Sequence, residues 1–198
     1  MKYLLNLIVL IFLLTSCGKG KDDKNSNYDF DFNNPDLYLI KTITGIDKTT
    51  EKYVEIQIYE SVKGDKFINQ VKEFKNEEID SSNSHFYTLE STKIKPNVYK
   101  GRIQLMYENE KILGIEFKTI TQVDDEFKTL TFNSDNSNHV LFNMTNTDSN
   151  PEIKGVLCVK IETEILIEDK KEKGYYKRYM FVDNNKVTDN LFIKKYKK

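Results

Sequence analysis

The stretch LCVKIETEILI, residues 157–167, decides the fold class. Leu157, Val159, Ile161, Thr163, Ile165 and Ile167 are apolar or β-branched, and Lys160, Glu162 and Glu164 stand between them. A period of two sends successive side chains to opposite faces of an extended chain. One face then meets a core and the other meets water, as in an antiparallel sheet solvated on one side.

The same alternation recurs outward from this segment. Val54, Ile56 and Ile58 alternate with Glu55, Gln57 and Tyr59. Tyr99, Ile103 and Leu105 alternate with Lys100, Arg102 and Gln104, and Leu113, Ile115 and Phe117 with Gly114, Glu116 and Lys118. β-Branched and aromatic residues suit a pleated, half-buried surface. Glu108–Lys111 is expected to close a hairpin, and Asp169–Gly174 to form a charged turn. Asn184-Asn185 is expected in a tight turn, because asparagine tolerates left-handed backbone. Pro35, Pro96 and Pro151 fall between these segments, where a missing N–H costs nothing. One segment dissents. In Asp65–Ile79, Phe67, Ile68, Val71, Phe74 and Lys75 approach helical spacing, so a short helix near 66–77 competes with a strand. There is no internal repeat. The expectation is a mainly β domain, an antiparallel sandwich or barrel-like sheet of about eight to ten strands.

The N-terminus carries a different signal. Residues 3–17 read YLLNLIVLIFLLTSC, preceded by Lys2. The apolar run is about 12 residues, short of the roughly 20 that a spanning helix needs. A positive start, a short apolar run and small residues before a cysteine mark a targeting segment. Leu14-Thr15-Ser16-Cys17 resembles the lipobox of bacterial lipoproteins. The resemblance implies that Cys17 receives a diacylglyceryl group and becomes the first residue of the mature protein. Residues 1–16 would be the signal peptide. Residues 17–35 would be the lipidated cysteine and a tether, because GKGKDDKNSNYDFDFNNP holds too little aliphatic surface to fold alone. Residues 36–198 would be the globular domain. A lipobox, a polar tether and a Lys/Asn/Ile-rich domain are similar to spirochaete surface lipoproteins. Lys21-Asp22-Asp23 resembles the export signal of surface lipoproteins in Bacteroidetes. Both resemblances imply a cell-envelope location, lipid-anchored on the outer-membrane surface.

Composition narrows the chemistry. Thirty basic residues face 31 acidic ones, a balance that argues against nucleic acid as a partner. With Cys17 lipidated, Cys158 has no partner for an intramolecular disulfide, and its neighbours Val156, Leu157 and Val159 favour burial. His85 and His139 stand apart, with no metal-ligand spacing. No G-x-S-x-G or glycine-rich phosphate loop is present, and Glu162 with Glu164 fits a solvated face beside Lys160. No metal, cofactor or enzymatic activity is therefore expected.

Residues 170–198 carry a net charge of +7 against −8 for the remainder. Lys170, Lys171, Lys173, Tyr175, Tyr176, Lys177 and Arg178 form a basic, tyrosine-bearing cluster. Such a cluster suits an anionic glycan or an acidic protein, with tyrosines as contact residues. The functional expectation is a surface lipoprotein with a binding role. The alternatives are a periplasm-facing structural or accessory lipoprotein and a small-molecule-binding β-barrel. The lipobox generates a direct test. Cys17→Ser should block lipidation and leave an uncleaved precursor. Mass spectrometry that finds a mature N-terminus elsewhere, without acyl chains, would refute the lipobox.

Overall fold

A computed structural model describes residues 36–47, 52–123, 126–145, 152–167 and 170–196. The expected signal peptide, Cys17 and the tether lie outside these residues. The alternating segments form strands throughout: β1 (Tyr38–Asp47), β2 (Lys52–Ser61), β3 (Lys66–Lys75), β4 (Glu78–Ile79), β5 (Phe86–Lys95), β6 (Val98–Met106), β7 (Ile112–Val123), β8 (Glu126–Asp135), β9 (His139–Thr145), β10 (Lys154–Ile167), β11 (Lys170–Asp183) and β12 (Val187–Thr188). One short helix, α1 (Leu191–Tyr196), follows. The domain is mainly β, as the alternation requires, and β4 and β12 are two-residue additions to ten longer strands.

The strands form three antiparallel sheets, ordered β12-β1-β2-β3-β4, β11-β10-β7-β8 and β5-β6-β9. A bridge between Val71 and His85 joins β3 to the start of β5, so the first and third sheets meet. The main core lies between the three- and four-stranded sheets. Ile103, Leu105, Phe117, Val140, Leu157, Val159 and Ile161 fill it. A second cluster gathers Tyr38, Tyr59, Val156 and Phe181 under Phe192 and Ile193 of α1. Asn190 starts that helix. Its Oδ1 accepts from the Phe192 N–H at 3.1 Å, and its Nδ2 donates to the Gly155 carbonyl at 2.9 Å. At Gly101, packing requires a missing side chain. A Cβ there would stand 2.1 Å from the Phe142 ring.

The segment 66–77 is strand, not helix. The register shifts between Gln57↔Gln70 and Ile58↔Ile68, so Asn69 is an extra residue. Phe67 opposes Tyr59 and Phe74 opposes Tyr53, so eight residues of β3 match seven of β2. A bulge thus puts aromatics seven apart on one face, which imitates helical spacing. Three connections also differ from expectation. Glu108–Lys111 closes no hairpin: β6 pairs with β5 and β9, while β7 pairs with β8 and β10. The link instead crosses from one sheet to another. Residues 170–174 are strand rather than turn, with Ile167 opposite Lys170. Asn184-Asn185 is not a hairpin turn, because β12 crosses to pair with β1. Among the described residues the left-handed asparagines are Asn76, Asn97 and Asn136.

The bulge has a structural purpose. It turns Asn69 inward, where its Nδ2 donates to the Phe181 carbonyl at 2.8 Å and its Oδ1 accepts from the Phe181 N–H at 2.7 Å. One side-chain amide therefore satisfies both backbone groups of a residue on the edge of β11. The Phe181 carbonyl also accepts from Tyr87 Oη at 2.9 Å. Asn69→Leu would leave the Phe181 N–H buried without that partner. An unsatisfied buried group costs about 1–3 kcal/mol, so urea unfolding should show a loss of that size. An unchanged midpoint would mean that β11 is held by its apolar contacts alone.

Candidate functional site

The basic cluster lies on β11, whose partner strand is β10. Beyond Ile161 opposite Ile112 the β7 pairing ends, so the distal part of β10 and β11 extends as a two-stranded arm. The partner strand carries acids. Lys171 pairs with Glu164 at 2.8 Å, and Lys173 reaches Glu162 at 3.5 Å, which also binds Lys111 at 2.9 Å. Residues 154–183 together hold seven basic and six acidic side chains. Of the +7 in residues 170–198, the +3 on β11 thus falls to +1 over this hairpin, while residues 184–198 carry the other +4. Exposed pairs of this kind contribute little to stability, but they occupy the lysines.

Alternation divides the remaining cluster. Arg178 opposes Val159 and Tyr176 opposes Ile161, so both lie on the face that continues into the main core. Arg178 grips Glu110 with two parallel bonds, Nη1 to Oε2 at 2.7 Å and Nη2 to Oε1 at 2.9 Å. Tyr176 Oη donates to the same Glu110 at 2.7 Å. The guanidinium stacks 5.1 Å from the Tyr107 ring centroid and donates to His85 Nδ1 at 3.2 Å. Burial, aided by Arg178, lowers the His85 pKa and keeps the ring neutral, as an acceptor must be. Burial and the bond to Glu110 push Tyr176 up to about 12. These groups clamp the crossing link at Glu110 to β11. They are committed internally and leave Arg178 no free edge for a ligand.

The opposite face is open. Lys177 directly opposes Lys160, and Tyr179 opposes Cys158. Tyr175 is 56 % exposed and Tyr179 39 %. The Lys160 ammonium stands 5.8 Å from the Tyr175 ring centroid, and the Tyr179 ring lies 4.9 Å from that of Tyr196. Like charges directly across an antiparallel pair repel. Among the described residues neither Lys160 nor Lys177 has an acidic partner within ion-pair distance. On β7, Gly114 opposes Lys160 and adds no side chain to this row. Two facing lysines thus stand between two tyrosines on this open face. Lys177, Tyr175 and Tyr179 are readable in sequence as one face of a strand. Lys160 is not, because only the register of β10 brings it there. Cys158 is buried at the edge of this face, and burial raises its thiol pKa, so it is a poor nucleophile.

A third polar cluster is buried. Asp183 accepts from Tyr59 Oη at 2.6 Å, from Thr188 Oγ1 at 2.5 Å and from Asn190 Nδ2 at 3.3 Å. Burial outweighs these bonds and pushes its carboxyl up to about 6. The cluster ties β11, β2, β12 and the start of α1 together. Among the described residues no three His, Cys, Asp or Glu side chains converge as metal ligands would. Glu162 and Glu164 are engaged by lysines on the solvated arm. No protein-family model, curated protein or solved structure matches the chain.

Asp183 gives a pH prediction with a definite sign. The folded protein holds its proton up to about pH 6, whereas the unfolded chain loses it near 4. The native state thus binds more protons in that window, and this group's contribution to stability falls as pH rises. The shift corresponds to roughly 3 kcal/mol. The stability of wild type relative to Asp183→Asn should decline by about that amount from pH 4 to pH 7, read by denaturant unfolding at each pH. A relative stability that rises with pH would show that Asp183 is charged and favourably paired.

Proposed function

We propose that the chain is a lipid-anchored surface lipoprotein of a bacterial envelope, and that its domain binds an anionic partner through the outer face of β10 and β11. The observation that carries the binding role is the Lys160–Lys177 pair between Tyr175 and Tyr179. The repulsion within that pair is relieved when an anion sits between the two ammonium groups. The tyrosines supply flat, weakly flexible contact area beside it. A sulfated glycan or an acidic protein segment offers suitable anions at intervals.

The anchor reading rests on Leu14–Cys17 and on membrane energetics. Each buried CH₂ contributes about 0.8 kcal/mol and a single chain holds only marginally, so two or three acyl chains on Cys17 would hold the protein for its lifetime. An 18-residue tether at roughly 3.3–3.6 Å per residue lets the domain stand up to about 60 Å from the bilayer. A domain displayed in this way works by contact, and no step of covalent chemistry is assigned to it.

The test is retention on heparin as a model polyanion. Wild type should be retained at low salt and elute as ionic strength rises, because a Debye length of about 8 Å at physiological salt screens such a face. Lys160→Gln with Lys177→Gln should lose most of the retention and keep wild-type unfolding. Lys171→Gln with Lys173→Gln should change it much less, since Glu164 and Glu162 already hold those lysines. Equal elution of all three proteins, or no retention of wild type, would overturn the anion face. Shaving of intact cells with protease tests the display separately: a protected domain would place it in the periplasm.

A further inference from the structure

The outer face of the three-stranded sheet has no part in the readings above. Tyr99, Ile103 and Leu105 of β6 point into the main core, so Lys100 and Arg102 point away from it. The register of β5, β6 and β9 sets two cross-strand rows on this outer side. One row is Glu90, Arg102 and Leu141, and the other is Thr92, Lys100 and Asn143. A groove of about 510 Å³ is lined by both rows, by Gly101 between them, and by the rings of Phe132 and Phe142. That volume falls in the range of small-molecule sites, roughly 300–1,000 Å³.

The charges around the groove are uncommitted. Most lysines on the other sheets pair with an acid: Lys41 with Glu60, Lys52 with Glu73, Lys72 with Glu55 and Lys118 with Glu116. Among the described residues Lys100, Arg102 and Glu90 have no ion-pair partner, although Glu90 directly opposes Arg102. The Arg102 guanidinium has one hydrogen bond, from Nη2 to Gln104 Oε1 at 2.5 Å. Its remaining donors are free to meet a carboxylate in the paired geometry that a guanidinium prefers.

We propose that this groove binds a monosaccharide carrying one carboxylate. Lys100 and Arg102 take the carboxylate. Glu90 accepts from ring hydroxyls, and Thr92 and Asn143 both donate and accept, as alternating sugar hydroxyls require. The C–H face of a pyranose lies against Leu141, which is 63 % exposed on the same outer side. The walls carry two positive charges and one negative, a net of +1 that complements a single anion. A neutral sugar leaves that charge unanswered, and a bare carboxylate leaves the hydroxyl partners and the apolar wall unused. This site is independent of the Lys160–Lys177 face.

The test is an NMR titration of residues 17–198, expressed without residues 1–16 and with Cys17→Ser, using three probes: methyl glucuronide, methyl glucoside and acetate. Methyl glucuronide should shift the amides of Arg102, Leu141 and Asn143. The glucoside and acetate should each bind at least about tenfold more weakly, the loss expected for one missing charge-assisted contact or its equivalent. Lys100→Gln with Arg102→Gln should weaken the glucuronide by a similar factor and leave heparin retention through Lys160 and Lys177 in place. Lys160→Gln with Lys177→Gln should leave glucuronide binding unchanged, so the two sites fail separately. Equal affinity for glucuronide and glucoside, shifts confined to other strands, or no shift at all would overturn the proposal. A Leu141→Lys variant that bound the glucuronide as well as wild type would remove the apolar wall from it.

Discussion

The arrangement of the three sheets depends on one side-chain amide. Asn69 sits on a bulge of β3 and meets both backbone groups of Phe181 on β11. At that point β11 is the edge of its sheet, and its N–H and C=O would otherwise be buried without partners. A neighbouring strand could satisfy them only by running alongside. The first sheet meets β11 through side chains instead, and an amide reproduces the donor–acceptor pair of a strand at a single residue. Tyr87 from the third sheet donates to the same carbonyl, so all three sheets meet at Phe181. Gln57 and Gln70 complete the arrangement. Gln57 Oε1 accepts from both Asn69 and Gln70, and Gln70 Oε1 accepts from the Tyr87 N–H. A polar network of this kind suits a core only when each member is satisfied.

That junction fixes which residues of β11 face outward. With Phe181 set between β3 and the second cluster, alternation sends Tyr179, Lys177 and Tyr175 to the open face and Arg178 and Tyr176 to the clamp on Glu110. The candidate binding face is thus a consequence of register rather than of local charge density. The same register lays acidic residues of β10 against the lysines of the arm. Cross-strand pairs of opposite charge suit a long, exposed two-stranded ribbon, because they raise its solubility without creating a strong field. The repulsive Lys160–Lys177 pair breaks that pattern. Departures from local consistency mark functional places more often than structural ones.

Much of the fold is legible in the sequence because it is carried by period two. The segments around Val54–Ile58, Tyr99–Leu105, Leu113–Phe117 and Leu157–Ile167 are strands. Tyr99–Leu105, Ile115–Phe117 and Leu157–Ile161 turn apolar side chains into the main core, whereas in β2 it is Tyr59, on the face of Glu55 and Gln57, that enters the second cluster, and Ile165 is exposed. Three kinds of information are not local and escape such a reading. A bulge changes the phase of the alternation, and at Asn69 it produced spacing that a helix would also give. Pairing between strands distant in sequence, such as β1 with β12 or β7 with β10, leaves no mark on either segment alone. This is why Glu108–Lys111 reads as a hairpin but serves as a crossing link. Charge is the third. Of the +7 in residues 170–198, β11 carries only +3, which falls to +1 over residues 154–183 once β10 and residues 168–169 are counted. Of the basic cluster, Lys177 and Tyr175 lie on the open face, while Arg178 and Tyr176 are held by Glu110, and Lys160 enters from the partner strand.

The use of arginine sharpens the distinction between solvating and recognising cations. The chain has 28 lysines and only Arg102 and Arg178 as arginine. Lysine keeps a surface soluble as a compact, strongly hydrated charge, and most of these lysines need do nothing more. A guanidinium differs by its rigid planar fork, which matters where two parallel hydrogen bonds must be made at once. At Arg178 that fork is fully used, on Glu110, and lysine could not replace it without losing one of the two bonds. At Arg102 the same fork is on the surface beside the groove, with Gln104 as its single described partner. Nothing in the packing of the three-stranded sheet calls for a planar donor there, because Lys100, on the same face of the same strand, serves solvation equally well. Glu90 stands directly across from that fork on β5 without forming an ion pair with it, so the donors that Gln104 leaves free stay turned to solvent.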